Sequence, residues 1–152
     1  MRGPDEVIVV VHRRSLSEPE FLILRRTLER QGYWSIVAGG VEEGETPAEA
    51  AARELIEEVG LEPESGLSEL GLALEYDIAG EPPEVLARFA PSVESVTLHA
   101  FAAEAPVGWE PTLDAEHDDY RWCGLDEAVA SMFYEAPRKA LQETARRLEA
   151  PW

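Results

Sequence analysis

Apolar and polar positions alternate along this chain in blocks that change period. Val7-Ile8-Val9-Val10-Val11 is β-branched throughout. Such a run predicts a strand buried on both faces. A polar stretch from Arg13 to Glu20 follows, containing Pro19. Phe21-Leu22-Ile23-Leu24 then predicts a second buried strand ending in Arg25 and Arg26. Thr27 to Gly32 is a polar loop, and Tyr33 to Ala38 a short strand. From Thr46 the period lengthens to that of a helix. Thr46 can act as N-cap, Pro47 takes the first helical position, and Glu49 stands where a capping box needs its acid. Gly60 supplies the left-handed residue that stops the helix.

On a helix advancing about 100° per residue, Glu54, Glu57 and Glu58 share one face. Ala48, Ala52, Leu55, Ile56 and Val59 group on the far side and are expected to face a core. Ala50 and Ala51 lie near the acids. They are small enough to admit another segment or a ligand. Beyond the helix, a polar turn is expected over Glu62 to Ser65. A strand-prone run follows from Leu67 to Ile78, with Leu70, Leu72, Leu74 and Tyr76 alternating. Gly80 to Glu84 breaks the pattern, and the span to Ser92 is expected to be a surface excursion. Val93 to Glu104 is a strand in which Val96, Leu98, Ala100 and Ala102 alternate with Thr97, His99 and Phe101. Tyr120 to Cys123 is a last short strand. Asp126 is expected to cap a helix over Glu127 to Met132. Pro137 to Glu149 predicts an amphipathic helix with Ala140, Leu141, Ala145 and Leu148 inward. Strands on both sides of the first helix, with more helices after them, predict an α/β sandwich with a mixed sheet.

At 152 residues, 45% hydrophobic and 29% charged, the chain is expected to be one globular domain. The longest early apolar run is too short to cross a bilayer, and the first residues lack signal-peptide character. The single cysteine, Cys123, allows no internal disulfide and suits a reducing cytoplasm. Its apolar neighbours predict a buried, inert thiol. A formal net charge of −18, from 31 acids and 13 bases, disfavours nucleic-acid polymers as partners. It leaves room for a small phosphorylated ligand where a bound cation inverts the local field.

Like charges at Glu54 and Glu58, four apart, weaken a helix by a few tenths of a kcal/mol. A solvated acidic face is one account of E-x-x-E-E. A hard divalent cation among the acids is the other. The framing residues favour the second. Gly39 is followed after five residues by Glu45. Seven more lead to Arg53-Glu54-Leu55, then Glu57-Glu58 and Gly60-Leu61. This spacing fills every fixed position of the Nudix box, and the chain resembles the Nudix hydrolases. Leu22–Arg26, Tyr33–Thr46 and Arg88–Phe101 more loosely resemble the bacterial dihydroneopterin triphosphate and nucleoside triphosphate pyrophosphatase branch.

The resemblance implies a single Nudix αβα sandwich that hydrolyses a phosphoanhydride in a nucleoside-diphosphate-linked substrate with Mg²⁺, Mn²⁺ being possible. It implies that Glu54, Glu57 and Glu58 bind the metal, joined by the backbone carbonyl of Ala38 and by Glu116 upstream of the last strand. Among these acids it leaves open which takes the water's proton. Glu45 and Arg53 would tie the loop to the helix, with Arg53 orienting the acids. Gly39 and Gly40 would allow close approach. Arg25 or Arg26 would meet a phosphate, and Trp34 would be either core or a wall for a flat ring. His117 and His99 are read as structural. The favoured substrate is a (deoxy)nucleoside or dihydroneopterin triphosphate, cleaved to monophosphate and pyrophosphate. Alternatives are a dinucleoside polyphosphate hydrolase such as one acting on diadenosine tetraphosphate, or a non-catalytic nucleotide-sensing module. The expected partner is a small nucleotide-like molecule, with no membrane, the chain being a monomer or homodimer in the cytoplasm.

Overall fold

A computed structural model describes residues 2–63, 66–72 and 74–149. Strand β1 (Asp5–Arg13) is the axis of the molecule. Its apolar run is buried on both faces because each face carries a separate core. Val7, Val9 and Val11 pack with Ala50, Ala51, Leu55 and Val59 of helix α1 (Pro47–Val59). Ile8 and Val10 pack on the other side with Ala140, Leu141 and Ala145 of the last helix, α4 (Glu135–Glu149). The shorter α3 (Leu125–Ser131) joins α4 on that side through Ala128. The architecture is therefore an αβα sandwich around a mixed sheet.

The hydrogen-bonding edges of β1 are used unequally. One edge runs parallel to β7 (Ser95–Glu104), from Asp5 opposite Thr97 to His12 opposite Glu104. The other edge is shared. Glu6 to Val9 pair antiparallel with β4 (Val37–Gly40), and His12 and Arg13 pair with β2 (Glu20–Arg26). This change of partner delivers the loop after β4 to the middle of the sheet. β2 also pairs with β3 (Trp34–Ser35) and with β8 (His117–Cys123). The β2–β8 register slips between Arg25, opposite Asp119, and Arg26, opposite His117. Outside β7 lie β5 (Ser68–Glu69) and β6 (Leu74–Asp77). A single-turn helix, α2 (Pro83–Leu86), follows them.

Several elements differ from expectation. The run 67–78 is broken into β5 and β6, and the strand at 33–38 into β3 and β4. Thr27–Gly32 contains a 3-10 turn at Leu28–Arg30. The polar turn expected over 62–65 falls partly outside the described residues, at Glu64 and Ser65. α3 begins at Leu125, with Gly124 rather than Asp126 at the cap position. Leu148 is exposed, as is Ile56. Phe101 is buried along with Ala100 and Ala102, because both faces of β7 are covered at that point. Cys123 is buried, and burial pushes its thiol up to about 11, so it is inert at neutral pH. Among the described residues no helix is long and apolar enough to cross a membrane.

Candidate active site

The entry to α1 is fixed by its own sequence. Thr46 Oγ1 accepts from the Glu49 amide at 3.1 Å, and Glu49 Oε1 accepts from the Thr46 amide at 2.9 Å. Two donors that the helix leaves unpaired are thereby satisfied. Gly60 closes the helix at φ 75°, a left-handed value that a side chain would strain. Loop and helix are then locked by Arg53. Its guanidinium grips Glu45 with two bonds, 2.8 and 3.0 Å, and donates to the carbonyl of Gly40 at 2.9 Å. The same group reaches Glu54 at 2.9 Å and Glu57 at 3.3 Å. One arginine thus ties the β4 end to the helix and sets the direction of two box acids.

The fork of Arg53 holds the Glu45 carboxyl at about 2, against an ordinary value of 4.5. A lowered carboxyl stabilises the fold above its unfolded value, and that gain is lost as pH falls through the folded value. The stability gap between the native chain and Glu45→Gln should therefore be full above pH 4.5 and close as pH approaches about 2. Urea unfolding midpoints across that range would measure it. A gap unchanged at the acid end would contradict it.

The three box acids of α1, Glu54, Glu57 and Glu58, are not equivalent. Glu54 and Glu58 are buried, at 9% and 3% exposure, whereas Glu57 is exposed. The buried face of α1 runs through Ala50, Ala51, Glu54, Leu55, Glu58 and Val59. Ala48 and Ile56, expected to face the core, face outward. The small Ala50 and Ala51 bring the helix close to the sheet, and Leu55 and Val59 dock it. Each such fully buried side chain contributes about 1.5–3 kcal/mol, more than enough to offset like-charge repulsion along the helix. The two acids are carried inward with them.

Gly39 makes room for this. A Cβ there would sit 2.1 Å from Glu54 Oε1 and 2.2 Å from its Cδ. Glu58 Oε2 accepts from the Ala38 amide at 3.3 Å. Burial pushes the Glu58 carboxyl well above its usual range, helped by a hydrogen bond and charge from Glu54 and by the charge of Asp114. Two buried carboxylates side by side are costly unless a proton or a cation sits between them.

Behind Glu58 stands a residue that sequence reasoning left as structural. His117 is buried, with Nδ1 2.8 Å from Asp114 Oδ1 and Nε2 3.7 Å from Glu58 Oε1. Asp114 also donates its amide to the Glu58 carbonyl at 3.3 Å. The signal available in the sequence was one histidine three residues after an aspartate inside an otherwise acidic run.

Among the described residues no three His, Cys, Asp or Glu side chains already converge as a metal cage. The donor set nevertheless fits a hard divalent cation. It consists of carboxylate oxygens, two of them buried together in a space that only glycine at position 39 leaves open.

A cavity of about 650 Å³ opens beside this corner, lined by Ala38, Gly39, Arg26, Tyr33 and Glu116 among others. Arg26 and Arg25 leave β2 in opposite directions. Arg26 lies over the ring of Tyr33 at 5.3 Å, on the cavity side. Arg25 turns away and donates to Asp118 at 2.8 Å, so it does not line the cavity. Trp34 is also outside the cavity lining. It packs against the α3–α4 core with Arg121 over its ring at 5.1 Å. Tyr33, one residue earlier, takes the wall position and stacks on Phe133 at 5.2 Å. Glu116 lies on the wall and pairs with Arg30 at 3.2 Å. Gly40 lines a second, more open depression together with Glu42, Glu45 and Glu54. Gly39 therefore lines the cavity, Gly40 and Glu54 line the second depression, and Glu57 and Glu58 line neither.

The NUDIX domain family matches residues 3–144, and the chain belongs to the Nudix family. Relatives named as diphosphatases and pyrophosphohydrolases rank it among hydrolases acting on phosphoanhydride bonds. A dihydroneopterin triphosphate diphosphatase from Haemophilus influenzae is 31% identical over 131 residues, covering 84% of this chain and 78% of that protein. The solved dihydroneopterin triphosphate pyrophosphohydrolase of E. coli superposes with a TM-score of 0.80 at 27% identity, over 96% of this chain and 97% of that one. A protein named octanoyltransferase from Myxococcus xanthus is 34% identical over 143 residues. That match covers 94% of this chain but spans only 36% of the relative's length. Nudix hydrolases generally use divalent metal ions.

Proposed function

We propose that this chain cleaves a (deoxy)nucleoside triphosphate or dihydroneopterin triphosphate to the monophosphate and pyrophosphate, with Mg²⁺ as working ion and Mn²⁺ as a substitute. The observation that carries this reading is the buried Glu54–Glu58 pair packed behind Gly39, which itself lines a cavity shared with Arg26. Glu54, Glu57 and Glu58, with the Ala38 carbonyl and Glu116, are the residues that would hold the ion. Bound there, a divalent cation neutralises phosphate oxygens and makes water more acidic. Arg53 keeps Glu54 and Glu57 aimed into the site. His117, held by Asp114, keeps Glu58 from turning away. Arg26 faces the phosphate chain, and Tyr33 offers a flat face for the ring system. Water adds to phosphorus, the anhydride P–O bond breaks, and pyrophosphate leaves with the bonding electrons. A site carboxylate takes the water's proton.

The names of the Haemophilus and E. coli relatives support the triphosphate substrate. Cys123, buried and held far above neutrality, lends no support to acyl transfer through a thiol. The test is release of pyrophosphate or phosphate from a panel with Mg²⁺ or EDTA. The panel holds nucleoside triphosphates, dihydroneopterin triphosphate, diadenosine tetraphosphate and ADP-ribose. Pyrophosphate release from triphosphates, abolished by EDTA, is the expected result. Nucleotide binding without turnover of any member would overturn it in favour of a sensing module.

A further inference from the structure

The segment between β6 and β7 is brought to the site by a contact outside the named strands. Residue 2 and residue 89 form an isolated parallel bridge. The Arg2 amide donates to the Arg88 carbonyl at 2.7 Å, and the Ala90 amide donates to the Arg2 carbonyl at 2.9 Å. The backbones of two arginines distant in sequence are thereby joined. Both line the cavity and also the acidic groove, so they stand where the two depressions meet. Arg2 lies over the catalytic loop, since a Cβ on Gly40 would be 3.6 Å from its Nε. Its Nη1 is anchored at 2.9 Å to Glu6, a buried carboxylate whose other oxygen accepts from Tyr76 at 2.7 Å. The anchor fixes the guanidinium and leaves its remaining N–H donors unassigned among the hydrogen bonds of the described residues.

Arg88 differs from most arginines here. In a chain with 31 acids and 13 bases, no carboxylate among the described residues lies within ion-pair distance of it. Its own segment carries Glu81 and Glu84 on the same cavity wall, yet neither closes on it. The side chain is exposed and the backbone around it is held by the bridge. An arginine fork that local acids leave open, lining the same two depressions as a second fork fixed in position, suits a multiply charged oxyanion.

We infer that Arg2 and Arg88 form an anion subsite that grips the pyrophosphate half of the substrate as it is cleaved. This rests on the proposed pyrophosphohydrolase reading and adds to it the residues that select a chain of phosphates over a single one. Arg26, on β2, remains at the phosphate next to the ring. The segment carrying Arg88 thereby becomes a specificity element, with Glu6 and Tyr76 as positioning residues for Arg2.

The experiment uses the full chain and inorganic pyrophosphate as probe, in EDTA, with binding followed by calorimetry or NMR titration. Arg88→Gln is expected to weaken pyrophosphate binding about tenfold or more, and Arg88→Lys to restore only part of it, because charge without the fork is retained. Binding of the nucleoside monophosphate should not change. With the preferred triphosphate and Mg²⁺, Arg88→Gln should raise KM by a similar factor while kcat falls much less. The thermal midpoint should hold, since the side chain is exposed. Pyrophosphate binding equal to the native chain in both Arg88→Gln and Arg2→Gln would overturn the inference. Failure of the hydrolysis panel with pyrophosphate binding still dependent on Arg88 would overturn the proposed reaction and leave the anion site standing.

Discussion

Replacing Gly39 with alanine should cost at least about 100-fold in kcat while leaving the chain folded. The added methyl would occupy the place of the Glu54 carboxyl, with 2.1 Å to Oε1, 2.2 Å to Cδ and 2.7 Å to Cγ. No real carbon tolerates such distances, so one partner must move. The backbone at position 39 is held in the β1–β4 ladder opposite Val7. Glu54 is the end of a rotatable side chain, so Glu54 is displaced. Its bond to Arg53 is then lost or remade elsewhere, and the acid no longer shares its burial with Glu58. A displacement of about 1 Å in a catalytic group can cost about 10²-fold. The fold itself loses one side-chain contact and gains a methyl, so the thermal midpoint should shift by only a few degrees. Circular dichroism melting and steady-state turnover, measured on the same preparation, separate the two effects. Near-native turnover in Gly39→Ala would show that the position of Glu54 is not critical. Unfolding would show that the loop, rather than the acid, gives way.

Glu58→Gln should be equally damaging to turnover, by on the order of 100-fold or more, yet in EDTA it should be no less stable than the native chain. The amide oxygen can still accept from the Ala38 amide, and its NH₂ can donate to Glu54. What disappears is one of two buried acids held side by side, whose joint ionisation is opposed by burial and by the neighbouring charges of Glu54 and Asp114. A neutral isostere removes that conflict, and hydrogen bonds to the remaining carboxylate are of the stronger, charge-assisted kind. Cation addition should then stabilise the variant less than it stabilises the native chain, because binding to the native state alone raises the melting midpoint. Melting scans with EDTA and with Mg²⁺ provide the comparison. A variant that melts well below the native chain in EDTA would mean that Glu58 is a structural partner of His117 and not a site held ready for a cation.

These expectations depend on side-chain orientations that the residue pattern conveyed unevenly. The ends of α1 were legible, since Thr46, Pro47, Glu49 and Gly60 act locally and each does what its chemistry dictates. The buried strands β1 and β2 were legible for the same reason, and so was the sandwich they imply. The rotation of α1 was not. Apolar periodicity placed Ile56 on the core side and the acids on the face opposite it, whereas docking on small alanines turned Glu54 and Glu58 inward and left Ile56 in solvent. Burial of a carboxylate is invisible to periodicity because its compensation comes from outside the apolar pattern, here the Ala38 amide on β4, the neighbouring Arg53 and His117 on β8. Arg25 and Arg26 were indistinguishable in the sequence. The register slip opposite β8, together with strand alternation, sends one to Asp118 and the other to the cavity. Trp34 and Tyr33 were likewise indistinguishable: Trp34, in β3, packs on the core, whereas Tyr33, just before β3, lines the cavity. The arrival of Arg2 and Arg88 at the site depends on a single bridge between distant segments, and nothing local announces it.

The divided edge of β1 also says something about how the molecule comes into being. Its pairing with β4 closes a loop of modest length, Ile8 meeting Ala38, whereas its pairing with β7 joins Ile8 to Ala100. Parallel contacts of such sequence separation form late, after the entropy of a long closure has been met. Until β7 arrives, β1 has an open edge and its valines are covered on that flank by nothing permanent. The loop, the helix and the box acids can assemble among themselves before that moment, but the sheet that gives them a rigid floor cannot. Completion of the floor under the box acids is therefore tied to a long closure, in which residues 5–13 wait for residues 95–104.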